Sequence, residues 1–295
     1  MPSATADGHD GRVRSSVVVG SAVPTRIGIA GARAFYAGPG LDLSPHRNAA
    51  ATLVVTLDAP FRLCLPDGGG TALGPAASRS AAFVPPGTLH RVRATGPVLF
   101  AYLDALSDDV AALAHHRDGD VAVPDLDLDG GVEEVFDALG VRRRAPVDPG
   151  LVAAVRRLDV RPQDVPSVAA AAALVGLSPS RFQARFRRAV GVPFRRYRLW
   201  RRLAVAITGS AAGQSLTEAA HAAGFAGSAH LSGTFRTMFG LTPSDLLALG
   251  ATVRSDLPVP HARQADHTAT VSGGRSSASV SATVRRAPAG APAPT

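Results

Sequence analysis

Gly176-Leu177-Ser178-Pro179-Ser180-Arg181-Phe182, continuing through Phe186 to Gly191, is one half of a repeat. Its other half is Gly224-Phe225-Ala226-Gly227-Ser228-Ala229-His230-Leu231, continuing through Phe235 to Gly240. Each half reads as a short helix, a glycine-containing turn and a second helix. With Phe182 set at zero and about 100° per residue, Phe186, Ala189 and Val190 fall beside it as one apolar stripe. Ser180, Ala184 and Arg187 lie opposite, with Gln183 at one shoulder and Arg181 and Arg188 at the other. A helix anchored by phenylalanines thus turns a Ser/Gln/Arg surface outward. Arginine and glutamine are the side chains that pair with guanine and adenine edges in the DNA major groove.

In the second copy Leu231, Phe235, Met238 and Phe239 form the stripe. Ala229, Ser232, Gly233 and Arg236 occupy the angles of Ser180, Gln183, Ala184 and Arg187. These are smaller side chains with fewer donors, so the second helix is expected to read fewer bases directly, although small residues let the backbone approach and can touch a thymine methyl. Between the copies, Pro193 to Ile207 reads as a long helix with Tyr197, Leu199, Trp200, Leu203 and Ile207 on its apolar side. Arg195, Arg198 and Arg202 share the other side, with Arg201 at its edge and Arg196 inside the apolar sector near the helix start. Phosphate contact and plain solvation are both open to these arginines; Trp200 and Tyr197 read as core.

Charge agrees with this placement. All 31 basic residues are arginine, against 23 acids, for a net charge of +8. Ser167 to Gly250 holds ten arginines against Glu218 and Asp245, which accounts for the whole excess. The positive charge is therefore local, and marks a surface for a polyanion or a solvated basic face. One cysteine, Cys64, excludes an internal disulfide and fits a reducing compartment. No apolar run reaches the ~20 residues needed to span a bilayer, and Met1 to Arg14 lacks a secretion signal's apolar stretch. The expectation is a cytoplasmic protein without a membrane partner.

Read in order, the chain predicts a flexible segment over 1–24 and an all-β domain over 25–105. Its short apolar runs are Ile27 to Ala30, Leu53 to Leu57, Phe61 to Leu65, Ala81 to Val84 and Val98 to Leu103. They are punctuated by Asp58-Ala59-Pro60, Asp67-Gly68-Gly69-Gly70 and Pro85-Pro86-Gly87. Asp104 to Asp137 holds eleven acids and one arginine and is read as an acidic connector, assigned to 106–147, that cannot form a buried layer. It is expected to contain a helix over Val132 to Leu139 with Asp129 near its N-cap. Another helix is expected to start at Pro149 and run to Leu158. The helical domain is assigned to 148–250, and 251–295, rich in Ala, Pro, Ser, Thr and Arg, is expected to be disordered.

Ser167 to Gly250 resembles the DNA-binding domain of AraC/XylS-type transcription regulators. The matching pieces are Ala173 to Ser180, Phe186 to Gly191, Tyr197, the run Ala219-Ala220-His221-Ala222-Ala223-Gly224-Phe225, Ser228, Phe235 and Phe239-Gly240-Leu241-Thr242-Pro243. The resemblance implies two helix-turn-helix units joined by a rigid helix, each placing its second helix in the major groove of one duplex face. Two grooves about one turn, or ~34 Å, apart make a site of roughly 20 base pairs. Base-facing positions are then Ser180, Gln183, Ala184 and Arg187, with Ala229, Ser232, Gly233 and Arg236. Phosphate contacts fall to Arg181, Arg188, Arg195, Arg202 and Ser228. Two departures stand out: many members carry a larger, often basic, residue where Gly233 stands, and an aromatic near Leu246.

Thr25 to Leu103 is similar to the small cupin-type sensor that precedes this domain in many members. The likeness rests on Pro45-His46, the Leu53 to Leu65 strand pair and the run from Val84 to His90. Metal-binding cupins use histidines and a glutamate; here only His46 and His90 match and no glutamate precedes Glu133, short of the three or four ligands zinc uses. The two histidines are assigned to ligand binding or structure, and no metal or cofactor is expected. Asp125-Leu126-Asp127-Leu128-Asp129-Gly130 opens like a calcium loop, but its twelfth position is Phe136 where a glutamate is needed. His115-His116 has no ligands near it in sequence, Asp67 to Thr71 is a hairpin turn rather than a phosphate loop, and Cys64 has no base assigned to it.

The sequence thus predicts an α+β multidomain chain: a small cupin-like β domain, an acidic helical connector and an all-α domain with two helix-turn-helix units. It reads as a sequence-specific transcription regulator, not an enzyme, that binds promoter double-stranded DNA. Its β domain is expected to sense a small-molecule effector or to mediate homodimer contact, and RNA polymerase is a further partner of such a protein. The alternatives are a cupin-type enzyme with an accessory DNA domain and a protein that coats nucleic acid without sequence preference.

Overall fold

The structure is a computed structural model that describes residues 23–67, 72–107, 109–113, 126–128, 130–141 and 148–259, and the strand at 280–283. Nine strands run between Arg26 and Tyr102: β1 (Arg26–Ala30), β2 (Arg33–Gly38), β3 (His46–Arg47), β4 (Thr52–Thr56), β5 (Phe61–Cys64), β6 (Ala77–Arg79), β7 (Ala81–Val84), β8 (Leu89–Arg93) and β9 (Val98–Tyr102). Two more, β10 (Thr252–Ser255) and β11 (Val280–Thr283), come from the far end of the chain. They form a seven-stranded sheet ordered β11-β10-β1-β2-β9-β4-β7 and a four-stranded sheet ordered β3-β8-β5-β6. The five apolar runs of the sequence are strands; β2, β3, β6 and β8 were not among them.

Strands β4, β7 and β9 of the larger sheet are apolar on both faces, which is why they read as unbroken runs, and β2 beside them is buried on both faces as well. Tyr36, Val54, Ala82 and Phe100 point into one core, while Phe35, Leu53, Phe83 and Leu99 point into another. The second core corrects the reading of the acidic connector. Helices α1 (Asp109–Leu113) and α2 (Val132–Ala138) lie in that stretch, and Leu113, Val132, Val135, Phe136, Leu139 and Val141 are buried in the second core with Leu53 and Leu99. Gly28 makes the approach of α2 possible, since a Cβ there would stand 2.7 Å from Val132 and 2.2 Å from the Phe35 ring. The cap of α2 is Gly131, without a side-chain bond; the expected Asp129 lies outside the described residues.

One acid is buried with this layer. Asp109, wholly inaccessible, takes two hydrogen bonds from Arg33, at 2.9 Å from Nε and 2.8 Å from Nη2. Arg33 is itself only 1 % exposed and also donates to Glu133 and to the Val141 carbonyl, with its guanidinium 4.8 Å from the Phe136 ring centre. Burial works to lower the Arg33 pKa; the Asp109 bond and the charges of Asp109, Glu133 and Asp104 outweigh it and raise it. A charged segment can therefore pack on a sheet when the sheet supplies the counter-ion.

The helical part follows: a 3-10 turn at Pro149–Leu151, α3 (Val152–Val160), a second 3-10 turn at Pro162–Asp164, then α4 (Val168–Leu174), α5 (Pro179–Val190), α6 (Phe194–Ala211), α7 (Leu216–Ala222), α8 (Ser228–Phe239) and α9 (Pro243–Leu247). Its core is continuous with the first β core, and Phe182, Trp200 and Phe235 share one buried cluster with Ile27, Tyr36 and Phe100. None of the described helices is long and apolar enough to cross a membrane.

Beyond α9 the chain does not leave the body at once, and the disorder expected over 251–295 does not hold for its first residues. Thr252–Ser255 pairs in parallel with β1, Ile27 opposite Val253, and β11 pairs antiparallel outside it. The open edge of β1 supplies unpaired backbone groups, and Ala251, Val253 and Leu257 bury against the core. The two carboxylate oxygens of Asp256 share the single Gly31 N–H at 3.0 and 3.1 Å, and Thr208 of α6 shares a hydrogen bond with Ser255 at 3.0 Å.

Candidate nucleic-acid interface

The two units are built by local signals. Ser167 caps α4 through the Ala170 amide, and Ser178 caps α5 through the Arg181 amide with Pro179 in its first turn. In the second unit Ser215 and Glu218 form a capping box on α7. Both second helices have the same length, 12 residues, and both end on a left-handed glycine: Gly191 at φ 80° and Gly240 at φ 79°. Phe182 stacks with Phe186 at 5.6 Å, and both meet Phe194 of α6 edge-on. In α8, Phe235 packs on Phe239 at 4.5 Å and Leu231 and Met238 are buried.

The structure leaves the outward faces open. Ser180, Gln183, Ala184 and Arg187 are exposed, as are Ala229, Gly233 and Arg236, while Ser232 is half-buried. On the flanks Arg181, Arg188 and Arg195 are exposed and Ser228 is half-buried. Arg185, beside them, is held by Asp148 through two hydrogen bonds of 2.7 and 2.6 Å, which raises its pKa and lowers that of Asp148.

Arg202 is placed differently from the phosphate contact expected of it. It is only 7 % exposed, donates through Nε to the Ala223 carbonyl at 2.8 Å and through Nη2 to that of Gly224, and covers the Phe225 ring at 4.2 Å. Burial, and then the charge of Arg198, pulls its pKa down to about 10. It ties α6 to the turn of the second unit and is buried there, away from the surface a DNA backbone would meet in this arrangement. Arg201, expected at the edge of the polar face, is buried too. Arg198 bonds the carbonyls of Pro162 and Pro166, and Arg196 that of Arg47 in the β domain.

His46 and His90 face each other across β3 and β8 with ring centres 4.1 Å apart. They are 3 % and 0 % exposed, and each Nδ1 lies by a nearby carbonyl, Ser44 at 2.8 Å and Thr88 at 3.0 Å. Burial, with the neighbouring ring as a second cause, pushes His46 down to about 3, and burial pushes His90 down to about 4. Both are neutral imidazoles, and His46 packs beside the end of α8, where the Ser44 amide bonds the Gly240 carbonyl at 2.9 Å. Among the described residues no three His, Cys, Asp or Glu side chains cluster as metal ligands. His115, His116, Asp125 and Asp129 lie outside those residues.

An apolar cavity lies elsewhere among the described residues, and neither histidine lines it. A space of ≈ 80 Å³ is lined by both parts of the chain, with Tyr36, Phe100 and Tyr102 from the β side and Trp200, Phe235 and Phe239 from the helices. The Tyr102 ring is 5.2 Å from Trp200 and 5.6 Å from Phe239. The Trp200 indole N–H is buried there with no acceptor among the described residues. No sequence pattern joins these residues, since the wall is assembled from strands and helices that are far apart in the chain.

Residues 171–248 match the family model described as a helix-turn-helix domain. No curated protein matches the chain. An apo form of ToxT from Vibrio cholerae is 12 % identical, covering 73 % of this chain and 97 % of that one, with a TM-score of 0.44. ToxT with bound unsaturated fatty acid is 10 % identical over 79 % of this chain and 94 % of that one, at a TM-score of 0.42. A cupin superfamily protein from Desulfitobacterium hafniense is 14 % identical over 34 % of this chain and 84 % of that one, at a TM-score of 0.19. At these scores the likenesses carry no functional argument. The matched stretch spans both halves of the repeat, so the chain carries a helix-turn-helix domain of the matched family behind a two-sheet β domain.

Proposed function

We propose that this protein regulates transcription by binding a promoter site through both helix-turn-helix units, under the control of a small apolar molecule held in the cavity. The observation that carries the first half is the pair of 12-residue helices whose core faces are buried while Ser180, Gln183, Ala184 and Arg187, and Ala229, Gly233 and Arg236, stand open. Gln183 and Arg187 are base-reading side chains, which favours sequence preference over uniform coating. Arg181, Arg188, Arg195 and Ser228 are the phosphate contacts of this reading, and it leaves Arg202 out. RNA polymerase and a second copy of the chain are the partners such a regulator meets at a promoter in the cytoplasm.

The second half rests on the cavity's two-sided wall. A molecule in the cavity, which Tyr102 and Trp200 both line, touches both parts of the chain, so it binds this arrangement in preference to one in which they separate. Selection of bound sequences from a random pool tests the function. Gln183→Ala and Arg187→Ala should relax the selected sequence, while Arg195→Ala should weaken all sequences alike and flatten the salt dependence. An unselective pool from the wild-type protein refutes the reading.

A further inference from the structure

The repeat can be laid on itself helix to helix. A shift of 49 residues carries Pro179–Val190 onto Ser228–Phe239 and Gly191 onto Gly240. It also carries Phe182 onto Leu231 and Phe186 onto Phe235, so buried positions fall on buried positions. On one shoulder of α5 stand Arg181, Arg185 and Arg188. The same shift puts His230, Thr234 and Thr237 on that shoulder of α8.

The two threonines are already engaged. Thr234 Oγ1 donates to the His230 carbonyl at 2.8 Å, and Thr237 Oγ1 donates to the Gly233 carbonyl at 2.9 Å. A hydroxyl has one proton, so neither offers it outward. His230 differs from them. Its Nδ1 accepts the Ala226 amide at 3.4 Å, which in a neutral ring leaves the proton on Nε2. The imidazole stands edge-on to Phe225 at 5.3 Å, and Phe225 is buried beneath Arg202. Tautomer and ring orientation are thus both set from inside the turn, while the residue is exposed.

We propose that His230 is a phosphate-contacting residue of the second unit, donating from Nε2 to the DNA backbone at the position that Arg181 serves in the first. The proposal rests on the DNA-binding function above. It gives the second helix, poor in base-reading donors, an oriented donor that fixes its depth in the groove. Because a neutral donor displaces no counterion, its loss weakens binding without changing the salt dependence, whereas loss of Arg181 changes both.

The test uses the full chain and its selected site at about pH 8, where an imidazole is ordinarily neutral. Wild type, His230→Phe, His230→Gln and Arg181→Ala are compared on native DNA and on duplexes with single methylphosphonates stepped along the second half-site. His230→Phe keeps an aromatic ring against Phe225 and removes the donor, and its melting temperature checks that the fold is kept. We expect His230→Phe to bind roughly 3–10-fold more weakly at an unchanged salt slope. One methylphosphonate position that weakens wild type should leave His230→Phe unaffected, and His230→Gln should recover part of the loss. Equal binding by His230→Phe and wild type, or the same ratio between them at every methylphosphonate, overturns the proposal. If Arg181→Ala weakens binding in that case, the DNA-binding function stands without His230. If wild type selects no sequence at all, function and proposal fall together.

Discussion

Replacing Arg202 by alanine separates two readings of the linker helix that differ in what they expect. Read from the sequence, Arg202 is a phosphate contact. In the structure its guanidinium lies on the Ala223 and Gly224 carbonyls and over the Phe225 ring. The bond to the buried Ala223 carbonyl, made by a charged donor, is worth about 1.5–3 kcal/mol. Stacking on Phe225 adds about 0.5–2 kcal/mol. The Gly224 carbonyl belongs to an exposed residue and regains water, so it is left out. Against these stands the cost of burying the charge, visible as a pKa drawn down to about 10. Removing the charge relieves that cost, and the net loss is about 1–2 kcal/mol. For a body of this size that lowers the melting temperature by about 2–8 °C.

The assay is thermal unfolding together with DNA binding across a salt series. Arg202→Ala should melt lower and bind less tightly with the salt slope preserved, because no phosphate partner is lost. Arg202→Lys should recover little of the stability, since an ammonium cannot span two carbonyls and a ring face as the planar fork does. An unchanged melting temperature with a salt slope reduced by about one unit refutes the structural assignment and restores the phosphate contact.

Three other perturbations have outcomes the structure sets. His46 and His90 are held at about 3 and about 4, below the ordinary value of 6.5, so their contribution to stability is present above pH 6.5 and is lost as pH falls from there toward 4. At about pH 5 the loss approaches 2 kcal/mol for each histidine, and urea titrations of His90→Gln against wild type should show a shallower acid slope in the variant. Arg33→Met strands the buried Asp109 carboxylate and should cost about 3–5 kcal/mol by chemical denaturation, with much of it restored when Asp109→Leu is added. Ala204→Leu fills part of the ≈ 80 Å³ cavity, and in a thermal-shift screen of apolar ligands it should abolish the shifts that wild type gives; retained shifts place the ligand elsewhere.

How much of this was legible follows from the distance over which each signal acts. Phe182, Phe186 and Val190 lie one helical turn apart and are followed by a glycine, so α5 and its buried face can be read from twelve consecutive residues. The burial of Arg202 was not legible because a helical wheel ranks a residue by its own helix, and the carbonyls that hold this one belong to the turn after α7. The acidic connector was misread for a related reason. Counting charge makes Asp109 a surface residue, and only the pairing with Arg33, 76 positions earlier, allows it inside. Strand β10 carries only Thr252-Val253-Arg254-Ser255, too short for an alternation to be seen, and its reason for existing is the free edge of β1. His46 and His90 were singled out by residue type, yet their burial, with His46 beside α8 and both away from the cavity, depends on how the two parts of the chain meet.

That meeting runs through α6, and its geometry bears on how a ligand would reach the DNA. Trp200 lines the cavity, and Arg202, two residues on, holds the carbonyls of the second unit's turn. Phe194 and Tyr197, at the other end of the helix, pack on Phe182 and Phe186 of the first unit. The cavity also touches Phe235 and Phe239 of α8 directly, but no residue of α5. A ligand that displaces Phe239 therefore acts on the second unit directly and reaches the first through α6, where Trp200 stands one turn after Tyr197. Strand β10 limits the movement further, because the helical part cannot swing away from β1 unless the strand that follows α9 peels off or the short link between them extends. In the proposed function the second unit, expected to read fewer bases, is the one a ligand in the cavity touches directly, so the ligand would change whether the weaker half-site is engaged.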